Sequence, residues 1–293
     1  MVIAIFVLMS LTFFLMKSIP GDPFEEEQAL PQEIQDSLKR HYGLDQPLYK
    51  QYTQYLLAIM RGDLGPSFRY KDRTVNDVIR QGFPTSALLG FEALVLAVST
   101  GLLLGTWAAF RENQWQDRLA MFMITMAIAV PSFVLATVLQ YVLTLKIPLF
   151  PPARWGTLSH AVLPAISLAA LPAAFIARLI RSNMLEVLQS DYIKTAKAKG
   201  LSSRTILWKH VLRNAFLPVL TYLGPLTANI LVGSFVVEKI FNIPGLGQWL
   251  INSVGNRDYT MIMGLTLFYS FILMGTILIV DVIYRLLDPR IKV

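Results

Sequence analysis

Cysteine is absent from the 293 residues, and histidine nearly so, with three. The first absence excludes a disulfide framework and a thiolate metal site. His41, His160 and His210 fall in connections on different sides of the topology derived below, so no joint metal site is expected. Charge is scarce too: 15% of residues are charged, against about 25% in soluble domains. No Gly-x-x-x-x-Gly-Lys-Ser/Thr phosphate loop, His-Glu-x-x-His motif or Gly-x-Ser-x-Gly turn occurs. The chain is therefore not expected to hydrolyse ATP, and an intramembrane enzyme lacks its catalytic constellation. A secondary transporter would often carry an internal repeat, and no convincing repeat is found. The net charge is +7, but the basic residues form neither a tail nor an aromatic-interleaved patch. Nucleic acid is not an expected partner.

What is abundant is apolar sequence, 54% of the chain with a mean hydropathy of +0.51. A helix needs roughly 20 apolar residues to cross about 30 Å of hydrocarbon. Six runs fit, at about 1–19, 85–110, 118–146, 161–181, 215–238 and 261–285. The run Met1–Met16 has no preceding basic residue and no small-residue cleavage site, so it reads as a retained first helix. The predicted fold is an all-α membrane protein. Residues 1–84 supply the first span and a long outer loop with short helices, and 85–293 the core. In that loop Pro31 opens a helix with Ile34, Leu38 and Tyr42 on one face. Pro47 opens another with Leu48, Tyr52, Tyr55, Leu56, Ile59 and Met60 on one face.

Lys and Arg set the orientation. Connections 111–118, 178–213 and 285–293 hold thirteen, against four in 146–160 and 239–260. The positive-inside rule places the first set, and both termini, in the cytoplasm. The loop 20–84 is too long to count.

The most patterned polar stretch is Ser182–Pro218. Met184, Val187, Leu188, Asp191, Thr195, Ala198 and Lys199 fall at helical spacing, and the late lysines suit a helix C-terminus. Gly200 is suited to follow the last helical residue, and Ser202 or Ser203 to cap a second helix through Arg204–Arg213. A basic helix–Gly–helix elbow between two spans is predicted. The bland alternative is an amphipathic loop resting on anionic headgroups.

The elbow resembles the cytoplasmic EAA loop (182–214) of binding-protein-dependent ABC importer permeases. Thr195-Ala196-Lys197-Ala198-Lys199-Gly200-Leu201, then His210-Val211-Leu212-Arg213-Asn214-Ala215-Phe216-Leu217-Pro218, is the wording of the peptide and nickel branch, without a literal Glu-Ala-Ala. The resemblance spans nearly the whole chain. It includes Pro20–Pro23, Tyr42–Pro47, Gly65–Phe68, Pro131–Phe133, Glu238–Phe241, Pro244–Gly247, Asn256–Tyr259 and Asp288–Arg290. The Gly65–Phe68 wording, with Tyr70-Lys71-Asp72 and Thr74–Asp77 nearby, is most similar to oligopeptide permease B-type subunits.

The resemblance implies a type I (MetI-like) permease that moves oligopeptides, or alternatively dipeptides or nickel. It implies a second permease, forming a heterodimer, and two cytoplasmic ATPases that bind ATP and Mg. It also implies an extracellular peptide-binding protein and a bacterial inner membrane. No cofactor is expected in this chain. The elbow would be the coupling helix. Ala196, Lys199, Gly200, Leu201, Arg204, Ile206, Leu207, Lys209 and His210 would meet an ATPase, with Leu201, Ile206 and Leu207 as apolar anchors.

For the pathway, the polar residues of spans three, five and six are the candidates: Ser132, Thr137 and Gln140, then Thr221, Thr227, Asn229 and Ser234, then Ser270. Pro131, Pro164, Pro172, Pro218 and Gly224-Pro225 are expected to loosen their helices. Glu92 lies within span two, where charge is costly. The connection 242–259 reads as a plug or docking surface.

Overall fold

The computed structural model describes residues 2–19, 32–70 and 72–287. Pro20–Pro23, Pro31, Lys71, Asp288–Arg290 and Lys292, and the side chains of Ile34 and Leu38, lie outside the described residues. Among those described the fold is all-α, and the extended pairing is a single bridge between Pro66 and Thr74.

Helix α1 (Val2–Ser18) is followed by α2 (Gln32–His41) and α3 (Leu48–Met60). Helix α4 (Val75–Phe110) starts ten residues before the expected span, because Thr74 and Asp77 form a capping box. The Thr74 Oγ1 accepts from the Asp77 N–H and the Asp77 carboxylate from the Thr74 N–H, both at 3.1 Å. Helix α4 then runs unbroken through Pro84.

The expected third span is not one helix. Helices α5 (Trp115–Ala129) and α6 (Ser132–Gln140, extended by a π-helical turn Tyr141–Lys146) meet at 99°. Between them Pro131 disfavours helical geometry at Val130, which is extended with ψ 117°. Helix α7 (Leu158–Gln189) keeps Pro164 and Pro172 inside it without a break. The elbow contains α8 (Asp191–Ala198), α9 (Ser203–Ile206) and α10 (Leu212–Ala215). Helix α11 (Leu217–Leu231) has Pro218 in its first turn and Pro225 inside, and leads to α12 (Phe235–Ile240), α13 (Leu246–Gly255) and α14 (Tyr259–Leu287). Of the prolines expected to loosen spans, Pro131 alone interrupts one.

The core is organised by the contact of α4 with α7. Leu89, Ala93, Ala97, Gly101, Gly105 and Ala109 recur every fourth residue and are buried. A Cβ on Gly101 would stand 2.7 Å from the Ile176 side chain, and one on Gly105 2.5 Å from the Ala177 carbonyl oxygen. The two backbones touch, as small-residue seams allow in lipid.

This register also fixes direction. Position 101 faces 173–176 and 105 faces 177–180, so α4 and α7 are parallel. The bent α5–α6 pair must therefore return the chain from one end of the bundle to the other. Gly90 meets Ile230, near the finish of α11, so α11 runs opposite to α4. Gly264 meets Val75 and Ile277 meets Gly224, so α14 runs with α4. Lys17 and Tyr259 line one cavity, which sets the finish of α1 level with the start of α14.

Among the described residues, α4, the α5–α6 pair, α7, α11 with α12, and α14 run between an end that holds the elbow and an opposite end that holds 63–74 and 233–258, where α1 also finishes. Four passes are long apolar helices (the third of them α11 with α12) and the bent pair makes a fifth. Helix α1, with 17 residues, is about 25 Å long.

The seam gives a direct test. Gly105→Val forces overpacking against the α7 backbone, costing about 1–3 kcal/mol or more, and is expected to abolish accumulation of folded protein. Gly275→Ala has open space for its Cβ and is expected to be silent. Equal membrane yield and equal thermal midpoints in detergent for the two variants would refute the seam.

Candidate functional site

The elbow begins where α7 overruns its expected boundary at 181 and continues to Gln189. Ser190 is extended, ψ 151°, and splits the single expected helix into α7 and α8. Helix α8 closes in a Schellman motif: the Gly200 N–H donates to the Lys197 carbonyl at 2.9 Å and the Leu201 N–H to the Ala196 carbonyl at 3.3 Å. Gly200 sits at φ +75°, in the left-handed region. Ser202 Oγ then accepts from the Thr205 N–H at 3.2 Å and caps α9. A π-helical turn, Leu207–Val211, follows before α10. Asn214 closes the elbow on itself, donating to the Tyr192 hydroxyl at 2.8 Å and the His210 carbonyl at 3.0 Å.

Burial divides the elbow residues. Lys199, Gly200, Leu201, Arg204 and Lys209 are exposed, and Leu207 and His210 are half-buried. Ala196 and Ile206 are buried in the chain's own core with Ile193 and Val211. The expectation that Ile206 anchors a partner is therefore corrected, and Ala196 likewise faces inward. Trp208, 64% exposed, was missed, although an indole within a basic amphipathic turn is a visible signal. Beneath the elbow, Arg181 of α7 grips Asp117 of α5 with two bonds of 2.7 Å, and the Asn113 N–H donates to Asp117 at 2.9 Å. The elbow shares its core with α7, and α7 is clamped to α5.

The opposite end is held by two buried carboxylates. Asp258 accepts from the Ser67 hydroxyl and from the N–H groups of Phe68 and Met261, the latter two at 3.2 Å. It joins the Gly65–Phe68 and Asn256–Tyr259 motifs and caps α14. Around it Tyr70 packs edge-on to Trp249 at 5.1 Å, and Arg73 lies over the same indole. Glu238 is fully buried. It accepts from Ser86 Oγ at 2.7 Å and from the Gly247 N–H at 3.0 Å, while Ser86 Oγ accepts from the Leu246 N–H at 2.8 Å. A Cβ on Gly233 or Gly245 would collide with this carboxylate. The segment 242–259, expected as a plug or docking surface, is thus fastened to 63–74 and to α4.

The pathway candidates are dispersed. Thr221 and Asn229 are exposed on one face of α11, and Thr227 is half-buried on another. Thr137 is exposed but donates to its own helix at Phe133, 2.8 Å, and Ser132 is half-buried. Gln140 is a fastener, donating to the carbonyls of Pro152 at 2.6 Å and Ile240 at 3.2 Å. Ser234 precedes α12, and Ser270 is buried, donating to Thr266 at 2.8 Å. Glu92 is half-buried at an apolar groove between α4 and α7 lined by Phe91, Val95, Leu158 and Val162.

Comparison with known proteins places this arrangement. The model of "Binding-protein-dependent transport system inner membrane component" matches residues 101–293, and that of its N-terminal region matches 1–90. The dipeptide transport system permease protein DppB of Bacillus subtilis is 51% identical, covering 100% of this chain and 95% of the relative. The oligopeptide transport system permease protein OppB of Haemophilus influenzae is 43% identical, covering 98% and 95%. In fold, the chain is similar to a structure of the MetNI methionine ABC transporter in inward-facing conformation. The TM-score is 0.56 at 17% identity, covering 72% of this chain and 96% of that one.

The Glu238 fastening predicts a stability loss. Glu238→Ala strands the Ser86 hydroxyl and the Gly247 N–H, each at about 1–3 kcal/mol. In a chain of this size that lowers the thermal midpoint by several degrees, about 2–4 °C per kcal/mol. An unchanged midpoint in detergent would show that the cradle contributes nothing.

Proposed function

The chain belongs to the binding-protein-dependent transport system inner membrane component family, and on that premise we propose that it is the permease subunit of an ATP-driven importer of peptides. The carrying observation is the elbow. Lys199–Leu201, Arg204, Trp208 and Lys209 form an exposed basic and apolar surface, and the inner face of the same elbow is part of the α7 core. A partner that displaces this surface displaces a transmembrane helix with it. That partner is an ATPase, one of two that bind ATP and Mg on the cytoplasmic side. A second, different permease supplies the second coupling helix, and an extracellular peptide-binding protein delivers the substrate.

Oligopeptides remain the first reading of the substrate. Dipeptides are the second, favoured by the 51% identity to the Bacillus subtilis protein. The relatives reported carry peptide names, so nickel is not adopted. Selection resides mainly in the binding protein, because the exposed polar residues of α11 are uncharged. The excess of Lys and Arg at the elbow end places that end, and both termini, in the cytoplasm of a bacterial cell, with the chain in the inner membrane.

Orientation is testable without background, because the chain has no cysteine. Leu201→Cys and Val254→Cys each place a thiol at an exposed position, on opposite ends. An impermeant maleimide is expected to label Val254→Cys in intact cells, and Leu201→Cys only after the membrane is opened. The reverse pattern inverts the topology.

Coupling is tested at Gly200. A Cβ there meets nothing within 4 Å, so any effect of substitution is conformational. The left-handed backbone costs an ordinary residue roughly 1–2 kcal/mol, and Asn less. In the assembled transporter, Gly200→Val is expected to lower substrate-stimulated ATP hydrolysis by about fivefold or more. Gly200→Asn keeps most of it. Normal stimulation in the valine variant removes Gly200 from the mechanism.

A further inference from the structure

At the end opposite the elbow, a cavity of about 340 Å³ lies between the finish of α1, helix α3, the 63–68 loop and the start of α14. Two hydrogen-bond donors line it without acceptors among the described residues. Lys17 is half-buried, with its ammonium 5.9 Å over the Phe13 ring, and no carboxylate pairs with it among the described residues. The Tyr55 hydroxyl is buried and has no hydrogen-bond partner. Burial, followed by the neighbouring Tyr52, pushes that hydroxyl up to about 12, so it stays protonated and a donor. The nearby amides are occupied: Gln51 Nε2 donates to Leu44 and Gln46, and Gln54 Nε2 to the Gln46 side chain. Asp63, the acidic residue on the wall, is exposed and accepts from the Gly65 N–H. Among the described residues, a cation without a carboxylate and a hydroxyl donor without an acceptor share one cavity, an arrangement that suits an anionic oxygen ligand.

The depth of the cavity identifies the source of that anion. Lys17 is in the last turn of α1. Ser10 Oγ and the Tyr52 hydroxyl, 2.6 Å apart, lay α3 along the half of α1 that leads to the cavity. The outward faces of the pair are apolar: Phe14 and Leu15 on α1, and Leu48, Tyr49, Leu57 and Met60 on α3 are all exposed. Those faces require hydrocarbon, so the mouth of the cavity lies where lipid phosphates sit, and acyl chains would cover α1 and α3 beside it. We propose that this cavity binds the phosphate of one anionic glycerophospholipid of the outer leaflet, held by Lys17 and Tyr55. The proposal is independent of which peptide is transported.

The test uses the full chain in its purified, detergent-stripped transporter, titrated with phosphatidylglycerol or inorganic phosphate and read by native mass spectrometry and thermal midpoint. One tightly retained phosphatidylglycerol that raises the midpoint is expected, with binding roughly tenfold or more weaker in Lys17→Gln. Tyr55→Phe removes a hydroxyl that has no partner, so its midpoint without lipid should match the parent protein while its lipid binding weakens by a few-fold. That variant keeps the test readable if Lys17→Gln fails to assemble. Phosphatidylglycerol retention and midpoint gain unchanged in Tyr55→Phe would overturn the proposal. Stoichiometric binding of inorganic phosphate in place of the lipid would overturn it as well.

Discussion

The architecture depends on the close approach of α4 to α7. Between membrane helices there is no hydrophobic driving force of the kind that folds a soluble core, so association rests on van der Waals contact and backbone proximity. Small residues at every fourth position of α4 supply that proximity, and Gly101 and Gly105 leave no room for a Cβ. Because the register makes the two helices parallel, the rest of the topology follows. One segment has to return the chain between them, and α11 and α14 pack against α4 with opposite directions. The elbow emerges from the same α7 that forms the seam.

The two ends are built differently. At one, buried carboxylates bind segments far apart in the chain: Asp258 holds residues 67 and 68, and Glu238 holds Ser86. Each is satisfied by neutral donors, which avoids leaving a costly unpaired group in a site closed to water. At the other end, the charged residues of the elbow point outward with Leu201 and Trp208, while Ile193, Ala196, Ile206 and Val211 close over the core. One end is fastened to itself and the other presents a surface.

Much of this was legible where local chemistry decides. Gly200 and Ser202 announce their turn and cap by residue type. The prolines were not legible, because the same residue behaves in two ways. Pro164 and Pro172 are buried among neighbouring helices that hold α7 continuous, whereas Pro131 is exposed and the chain turns there. The resemblance alone made Ile206 an anchor, and no residue type in the sequence marks it as inward-facing. The π-helical turn after it brings Ile206 and Val211, five residues apart, to the same inward side. Glu238 and Asp258 were read as motif residues without roles, since their partners lie 152 and 191 residues away. The Gly101–Gly105 spacing was present in the sequence and went unread.

The bend at Pro131 bears on how the protein is made. Each limb, Trp115–Ala129 and Ser132–Lys146, has 15 residues, about 22 Å of helix, less than the roughly 30 Å needed to span hydrocarbon. Neither limb is a self-sufficient insertion signal. Their placement rests on neighbours: α5 packs on α4 and α7, and α6 on α7 and α12, and of these α7 and α12 follow the pair in the chain. A later helix thus supplies part of the surface that holds an earlier, bent pair in place.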